Sequence, residues 1–409
     1  MEKGNRKAPF FWPLMKETVT VEDRRSIAEF VLSAEWLTNG PKVGEFEKAW
    51  SEWQGCEHSL FVSSGSAANL LLLAGAIEHY GIKPGAKVAV PAITWSTHIT
   101  PVIQMGLTPV FCDVNPRNFA MDPAHLQRIS DENPDMNIIF AAHLLGIPAP
   151  VKQYREILPN AVFLEDSCES HGAQTPHGKV GSLFSGGTFS FYFGHHMTTL
   201  EGGMVCVKEE NLYEIMRAKR SHGLARECGK NRFERFKSQS PDVDERFLFI
   251  TDGFNCRNTE IGAVLGLRQL ERLDAMIARR REVLGKFGNM TWEKHPDLFS
   301  SFQTEGNSSF CLPFACKTQA MNTDLRKFLY DKGVDSRPFC GGNLLRQPFL
   351  AGKFGAPEDF PNADYLHFHG FYIGNNHLIT DDEIETLENL LEEFLGQSMY
   401  AQRGGRGGR

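Results

Sequence analysis

The sequence predicts an α/β protein: a large α/β/α sandwich domain around a mostly parallel sheet, followed by a smaller C-terminal α/β domain. Two observations carry this expectation. Between about residues 58 and 208, short apolar runs alternate with helical patterns, and near-continuous apolar strands interleaved with helices indicate a sheet covered on both faces. The length of 409 residues suits two domains better than one core.

Taken in order, strands are expected at SLFVSS (59–64), KVAVPAI (87–93), TPVFCDV (108–114), NIIFAAH (137–143), AVFLEDS (161–167), TFSFYF (188–193) and MVCVK (204–208). Helical spacing marks SAANLLLLAGAIEHY (66–80) and PAHLQRIS (123–130) between them. A long helical pattern over 258–288 bridges to the second domain, which places a large domain at 1–275 and a small one at 276–398. In the last helix Thr380 and Glu383 read as a capping box, and Ile384, Leu387, Leu391, Phe394 and Leu395 share one face. The Gly/Arg tail, 399–409, is expected to be a disordered, solvated terminus.

Composition excludes some classes. A formal charge of −7 argues against nucleic acid or an anionic membrane as partner. No run approaches the roughly 20 apolar residues of a spanning helix. Nine scattered cysteines, an odd number, and an N-terminus lacking an apolar stretch lead us to expect reduced thiols and a cytoplasmic setting.

Three segments could carry chemistry. In FVSSGSAANLLLL a strand ends, Gly65 permits a tight turn and a helix begins near Ser66. Such an N-terminus can hold a phosphate, or the turn only caps the helix. In LEDSCESHG, Asp166 ends an apolar strand, where a carboxylate faces the ligand crevice of a parallel sheet. An N-cap or ion-pair partner is the competing reading. In TFSFYFGHHMTTLEGGMVCV, an aromatic strand runs into His195 and His196. Adjacent histidines on extended backbone point to opposite faces, so no shared metal is expected. His195 is then either a functional imidazole or a satisfied surface residue.

These segments, in this order, resemble the DegT/DnrJ/StrS family of sugar aminotransferases, from TNGPKVGEFEKAW (38–50) to the C-terminal helix. The resemblance implies the pyridoxal-phosphate-dependent transferase fold type I, like aspartate aminotransferase. It also implies a pyridoxal or pyridoxamine 5'-phosphate cofactor and a homodimer with shared active sites. By the same resemblance Gly65, Ser66 and Ser190 hold the cofactor phosphate, Trp95 stacks on its ring, and Asp166 pairs with the pyridine nitrogen. Asn255 would reach the phosphate of the neighbouring subunit. His222 matches a second family histidine near the site, with a structural hydrogen bond as the alternative role.

The departures from the family pattern suggest the function. Where relatives place the cofactor-bonding lysine, this chain has His195, and Glu169 stands in place of a glutamine. FYFGHHMTTLEGGMV and SRPFCGGNLLRQP (336–348) look most like the sugar 3-dehydratase branch. That likeness implies a dehydratase removing the C3 oxygen of a nucleotide-activated 4-keto-6-deoxyhexose, with guanosine as the nucleotide and L-glutamate restoring the amine form of the cofactor. An imidazole cannot tether the cofactor covalently, but with an ordinary pKa of about 6.5 it can act as base and acid near neutrality. Three readings compete: an ordinary nucleotide-sugar aminotransferase, a CDP-sugar 3-dehydrase with an iron–sulfur cluster, and a non-catalytic sugar-binding homologue. The missing lysine weighs against the first. The second needs a tight cysteine set, whereas the closest pair is Cys311 and Cys316.

Overall fold

The computed structural model describes residues 10–404 of the chain. Its main sheet contains β1 (His58–Val62), β2 (Lys87–Pro91), β3 (Thr108–Cys112), β4 (Ile138–Ala142), β5 (Val162–Asp166), β8 (Gly186–Ser190) and β9 (Gly203–Val207). A short hairpin, β6 (Gln174–Thr175) and β7 (Gly178–Lys179), precedes β8. The strand order is β1-β9-β8-β5-β4-β2-β3. Every pairing is parallel except the two made by β9, which is antiparallel to both β1 and β8.

Alternation along each strand builds two cores. Ile138 and Phe140 of β4 join one apolar cluster, while Ile139 and Ala141 join another on the opposite face. The first face is covered by α3 (Gly65–Tyr80), α4 (Ser96–Gln104) and α7 (Glu210–Arg220), and α8 (Lys230–Gln239) follows α7 without buried residues. The second is covered by α5 (Pro123–Glu132) and α6 (Val151–Ile157) at one end. At its other end α2 (Pro41–Gln54) and α9 (Glu260–Leu270) pack Phe46, Trp50 and Ala263 against Phe61 and Phe189.

After α10 (Leu273–Gly288), a three-stranded antiparallel sheet forms in the order β10 (Cys311–Ala315), β12 (Gly370–Gly374), β11 (Ser336–Arg337). It packs with α11 (Gln319–Asp331), α12 (Pro361–His369) and α13 (Asp381–Gly404). The N-terminal segment straps onto this sheet. Trp12 is buried, its indole donates to the Gly374 carbonyl at 2.8 Å, and its backbone exchanges hydrogen bonds with Gly333 and Asp335. Lys16 adds an ion pair to Glu383 at 2.7 Å.

Several elements differ from the sequence reading. The strand expected at 188–193 lies at 186–190, because its pairing with β9 ends where Ser190 faces Gly203, the first residue of β9. The helix expected over 258–288 breaks at Glu271-Arg272 into α9 and α10. Arg272 there turns to pair with Asp23 of α1 (Val21–Ser33), its Nη1 3.0 Å from the carboxylate. The last helix continues through Gly404, beyond the expected start of the tail at 399, and residues 405–409 lie outside the described residues.

Candidate active site

A cavity of about 310 Å³ opens at the C-terminal edge of the parallel strands, the position where open α/β sheets bind ligands. Ser64, Gly65 and Ser66 reach it beyond β1, Thr94 and Trp95 beyond β2, His143 beyond β4, Asp166 from the end of β5 and Ser190 from the end of β8. The small sheet contributes Cys311, Arg337, Tyr372 and Gly374, and the N-terminal strap contributes Leu14 and Met15.

The turn into α3 is built for close approach. Ser64 is the N-cap, its hydroxyl accepting from the Ala67 amide at 3.1 Å. Ser66 donates to the Thr97 hydroxyl at 2.9 Å. A Cβ on Gly65 would lie 2.6 Å from the Ser190 Cβ, so a side chain there would fill the seat between helix and strand. Trp95 caps α4 and is itself 54% exposed, which suits an aromatic face stacking on a ligand.

Asp166 forms the floor. Its Oδ2 accepts from Asn69 Nδ2 at 2.8 Å and lies 3.0 Å from His98 Nδ1, while Oδ1 accepts from the Cys168 amide at 3.0 Å. Burial would raise this carboxyl, but the hydrogen bond and charge of His98, with the Cys168 amide and Asn69, outweigh it and hold it down at about 2. Glu169 behaves oppositely. Burial pushes it up to about 7, opposed by the Leu145 amide that donates to it at 2.9 Å and reinforced by the charge on Asp166.

His195 faces the cavity, its ring 5.2 Å from that of Phe310. Burial, and then the charge of Arg280, push it down to about 3, with Asp166 pulling the other way. This corrects the expectation of an imidazole poised near neutrality: the ring is neutral at physiological pH. Its Nδ1 is buried with no partner. The adjacent histidines occupy a turn, with the His195 amide donating to the Tyr192 carbonyl, rather than extended strand. His196 is buried against the Ser308 carbonyl at 3.1 Å and does not line the cavity. Arg280 is buried as well, and donates to the carbonyls of His195, Phe310 and Asn375 at 3.2, 3.1 and 2.7 Å.

Among the expected site residues, Gly65, Ser66, Trp95, Asp166, Glu169, Ser190 and His195 converge on this cavity. His222 and Asn255 do not. Both are exposed, and they sit side by side: the His222 amide donates to the Phe254 carbonyl and Ser221 bridges to Asn255. His222 also holds a left-handed backbone, φ 63°. No lysine lines the cavity among the described residues. Lys179 lies over the Trp53 ring at 3.8 Å, and Lys208 donates to the Leu183 carbonyl at 3.0 Å. Sequence reasoning missed Asn69, His98, Cys168, Arg280 and Met15. For His98 the available signal was its place one turn after Trp95.

The DegT/DnrJ/EryC1/StrS aminotransferase family model matches residues 19–392. The chain belongs to that family. GDP-4-keto-6-deoxy-D-mannose 3-dehydratase from Yersinia pseudotuberculosis is 31% identical over 95% of this chain and 100% of its own. The protein of that name from Escherichia coli O55:H7 is 30% identical over 93% and 99%. Among solved structures, a histidine variant of GDP-4-keto-6-deoxymannose 3-dehydratase with bound GDP-perosamine superposes with a TM-score of 0.86 at 29% identity, covering 93% of this chain and 100% of that one. The E. coli enzyme with bound hydrated PLP gives 0.86 at 29% identity, covering 93% and 99%. The fold of this family member is therefore the aspartate-aminotransferase-like type I architecture expected from its motifs.

Proposed function

We propose that the chain is a C3 dehydratase of GDP-4-keto-6-deoxy-D-mannose that works with pyridoxal/pyridoxamine phosphate and glutamate. The observation that carries this reading is that His195, and no lysine, reaches the cavity among the described residues. Two relatives of that name align over more than nine-tenths of the chain, and a third solved relative holds a PLP–glutamate geminal diamine.

The residues fit the cofactor. An ionised Asp166 suits a protonated pyridine nitrogen, the Trp95 face suits the ring, and the first turn of α3 with Ser66 and Ser190 suits the phosphate. When bound, this cofactor supplies an amine that can condense with a ketone and a ring that accepts electrons. His195, neutral in its buried setting, takes up a proton as base. Charge is disfavoured there, so the imidazolium readily gives that proton to the departing C3 hydroxyl. The acid role thus follows from the base step and needs no imidazole half-charged at rest. Arg337, the one Lys or Arg side chain lining the cavity among the described residues, offers a fork for a carboxylate or phosphate. Across the whole reaction the sugar loses one oxygen while glutamate becomes 2-oxoglutarate and ammonia.

His222 and Asn255, exposed together, would serve the site of a second copy in a homodimer. The domain division at 275/276 falls within α10, which would then act as the bridge. Among the described residues no helix is long and apolar enough to cross a membrane. The nine cysteines are all free, which suits the reducing cytoplasm. Incubation with PLP, glutamate and GDP-4-keto-6-deoxymannose tests the reading. It should yield ammonia, 2-oxoglutarate and a 3,6-dideoxy ketone; an amino sugar would refute it.

A further inference from the structure

We propose that a further cavity, between α2 and α6 on the second face of the main sheet, binds a diphosphate group, free or carried on a nucleoside. The cavity measures about 510 Å³, within the range of small-molecule sites. It shares no lining residue with the active site. The inference therefore stands apart from the dehydratase reading.

Five basic side chains line it: Lys152 and Arg155 from α6, His177 and Lys179 from the β6–β7 hairpin, and Lys208 just after β9. Among the described residues no carboxylate lines it, in a chain whose formal charge is −7. Inside it the cations meet backbone carbonyls and aromatic rings. Arg155 Nη1 donates to the Pro159 and Ala161 carbonyls at 3.0 and 2.9 Å, and its guanidinium lies 4.8 Å from the Phe184 ring. Lys179 donates to the Trp53 carbonyl, and Lys208 to the Leu183 carbonyl at 3.0 Å. These contacts hold three charged heads in place without neutralising them. Two carboxylates act from outside the cavity. Glu156 stands 3.7 Å from Lys152, both side chains largely exposed, a pair worth little in water. Asp274 favours the charged form of Lys179.

A cavity of that volume, taken as a cube, is about 8 Å across, no more than a Debye length at physiological ionic strength. Salt therefore leaves much of the repulsion between its cations in place. Burial also pushes Arg155 and Lys179 down from their ordinary values, so charge is held there at a cost that an anion offsets. Charge also decides which anion fits. Lys152, Arg155, Lys179 and Lys208 are four cations, whereas a monophosphate ester carries only about −1.5 to −2. A diphosphate comes closer to balance, and guanidinium and ammonium groups are its natural donors. Val151, Leu183 and Phe184 add an apolar wall suited to the base of a nucleoside.

The test titrates the full-length protein, with its cofactor bound, against inorganic pyrophosphate by calorimetry at low ionic strength. Lys152→Glu/Lys208→Glu turns two cations into anions at exposed positions of the cavity. Lys48→Glu/Lys327→Glu makes the same change of net charge at exposed positions elsewhere, on α2 and α11. Wild type and the Lys48/Lys327 variant should bind alike. The cavity variant should bind at least about tenfold more weakly, because attraction becomes repulsion within a Debye length. No binding to wild type, affinity that survives the cavity variant, or equal weakening in both variants overturns the proposal. Adenosine diphosphate, titrated in parallel, separates the two sources. The affinity that the cavity variant removes should exceed that for pyrophosphate if the wall takes a nucleoside, and fall below it if the site takes the free anion.

Discussion

Burial has removed from His195 the half-protonated character that makes most histidines useful near neutrality. Its Nδ1 is buried without a hydrogen-bond partner, so the neutral ring keeps one nitrogen unengaged. Replacing it with asparagine should lower C3 deoxygenation about 10²–10⁴-fold, the usual worth of a general base, measured as ammonia release. His195→Lys should instead give a borohydride-reducible covalent cofactor adduct with little deoxygenation. An adduct already present in wild type would mean that another lysine reaches the site. Glu169 predicts a pH effect. Its folded value, about 7, lies above the ordinary glutamate value of 4.5, so the folded state binds more protons between the two. Its contribution is full below 4.5 and is lost as pH rises through about 7. Glu169→Gln should flatten that part of the unfolding-stability profile, and parallel profiles would refute the assignment. Asp166 and Trp95 were legible because strand ends and a Pro-Ala-x-Thr-Trp pattern mark them. Arg280 was not, because in Arg279-Arg280-Arg281 it reads as one more solvated charge. Only the packing of α10 puts it inside.

At the level of elements, the turn into α3 and the start of α13 set the margins. Gly65→Ala places a methyl 2.6 Å from Ser190 Cβ, so cofactor titration should show strongly weakened binding while the circular dichroism stays unchanged. In α13 the Glu383 amide donates to the Thr380 hydroxyl at 3.2 Å, and the Thr380 amide donates to the Glu383 carboxylate at 2.8 Å. Thr380→Ala should cost about 1 kcal/mol by urea unfolding. Glu383→Ala should cost more, because Lys16 of the strap loses its partner too; equal costs would show that the ion pair is idle. The strands were readable since burial on both faces leaves continuous apolar runs. The break between α9 and α10 was not, because periodicity continues through it. At the break Arg272 leaves helical backbone, φ −116° ψ 4°, and pairs with the distant Asp23, a tertiary contact that no local pattern encodes.

For the molecule as a whole, the cavity is assembled from three distant stretches of chain. The large sheet gives its floor, the small sheet supplies Arg337 and Tyr372, and the strap supplies Leu14 and Met15. Met15 packs so closely on Gly194 that a Cβ there would sit 2.2 Å from its sulfur. Trp12→Ala should destabilise the protein by about 3–5 kcal/mol and loosen cofactor binding as well; an unchanged cofactor affinity would show that the strap is purely structural. The strap was invisible in the sequence because the short apolar run Phe10-Phe11-Trp12-Pro13-Leu14-Met15 shows neither helical nor strand periodicity. That no lysine lines the cavity among the described residues reaches beyond the fold. Vitamin B6 can be washed out of such a protein, so equilibrium dialysis should empty it. The loaded fraction then tracks free supply, and under vitamin shortage this catalyst would idle before an enzyme that tethers the coenzyme through a lysine imine.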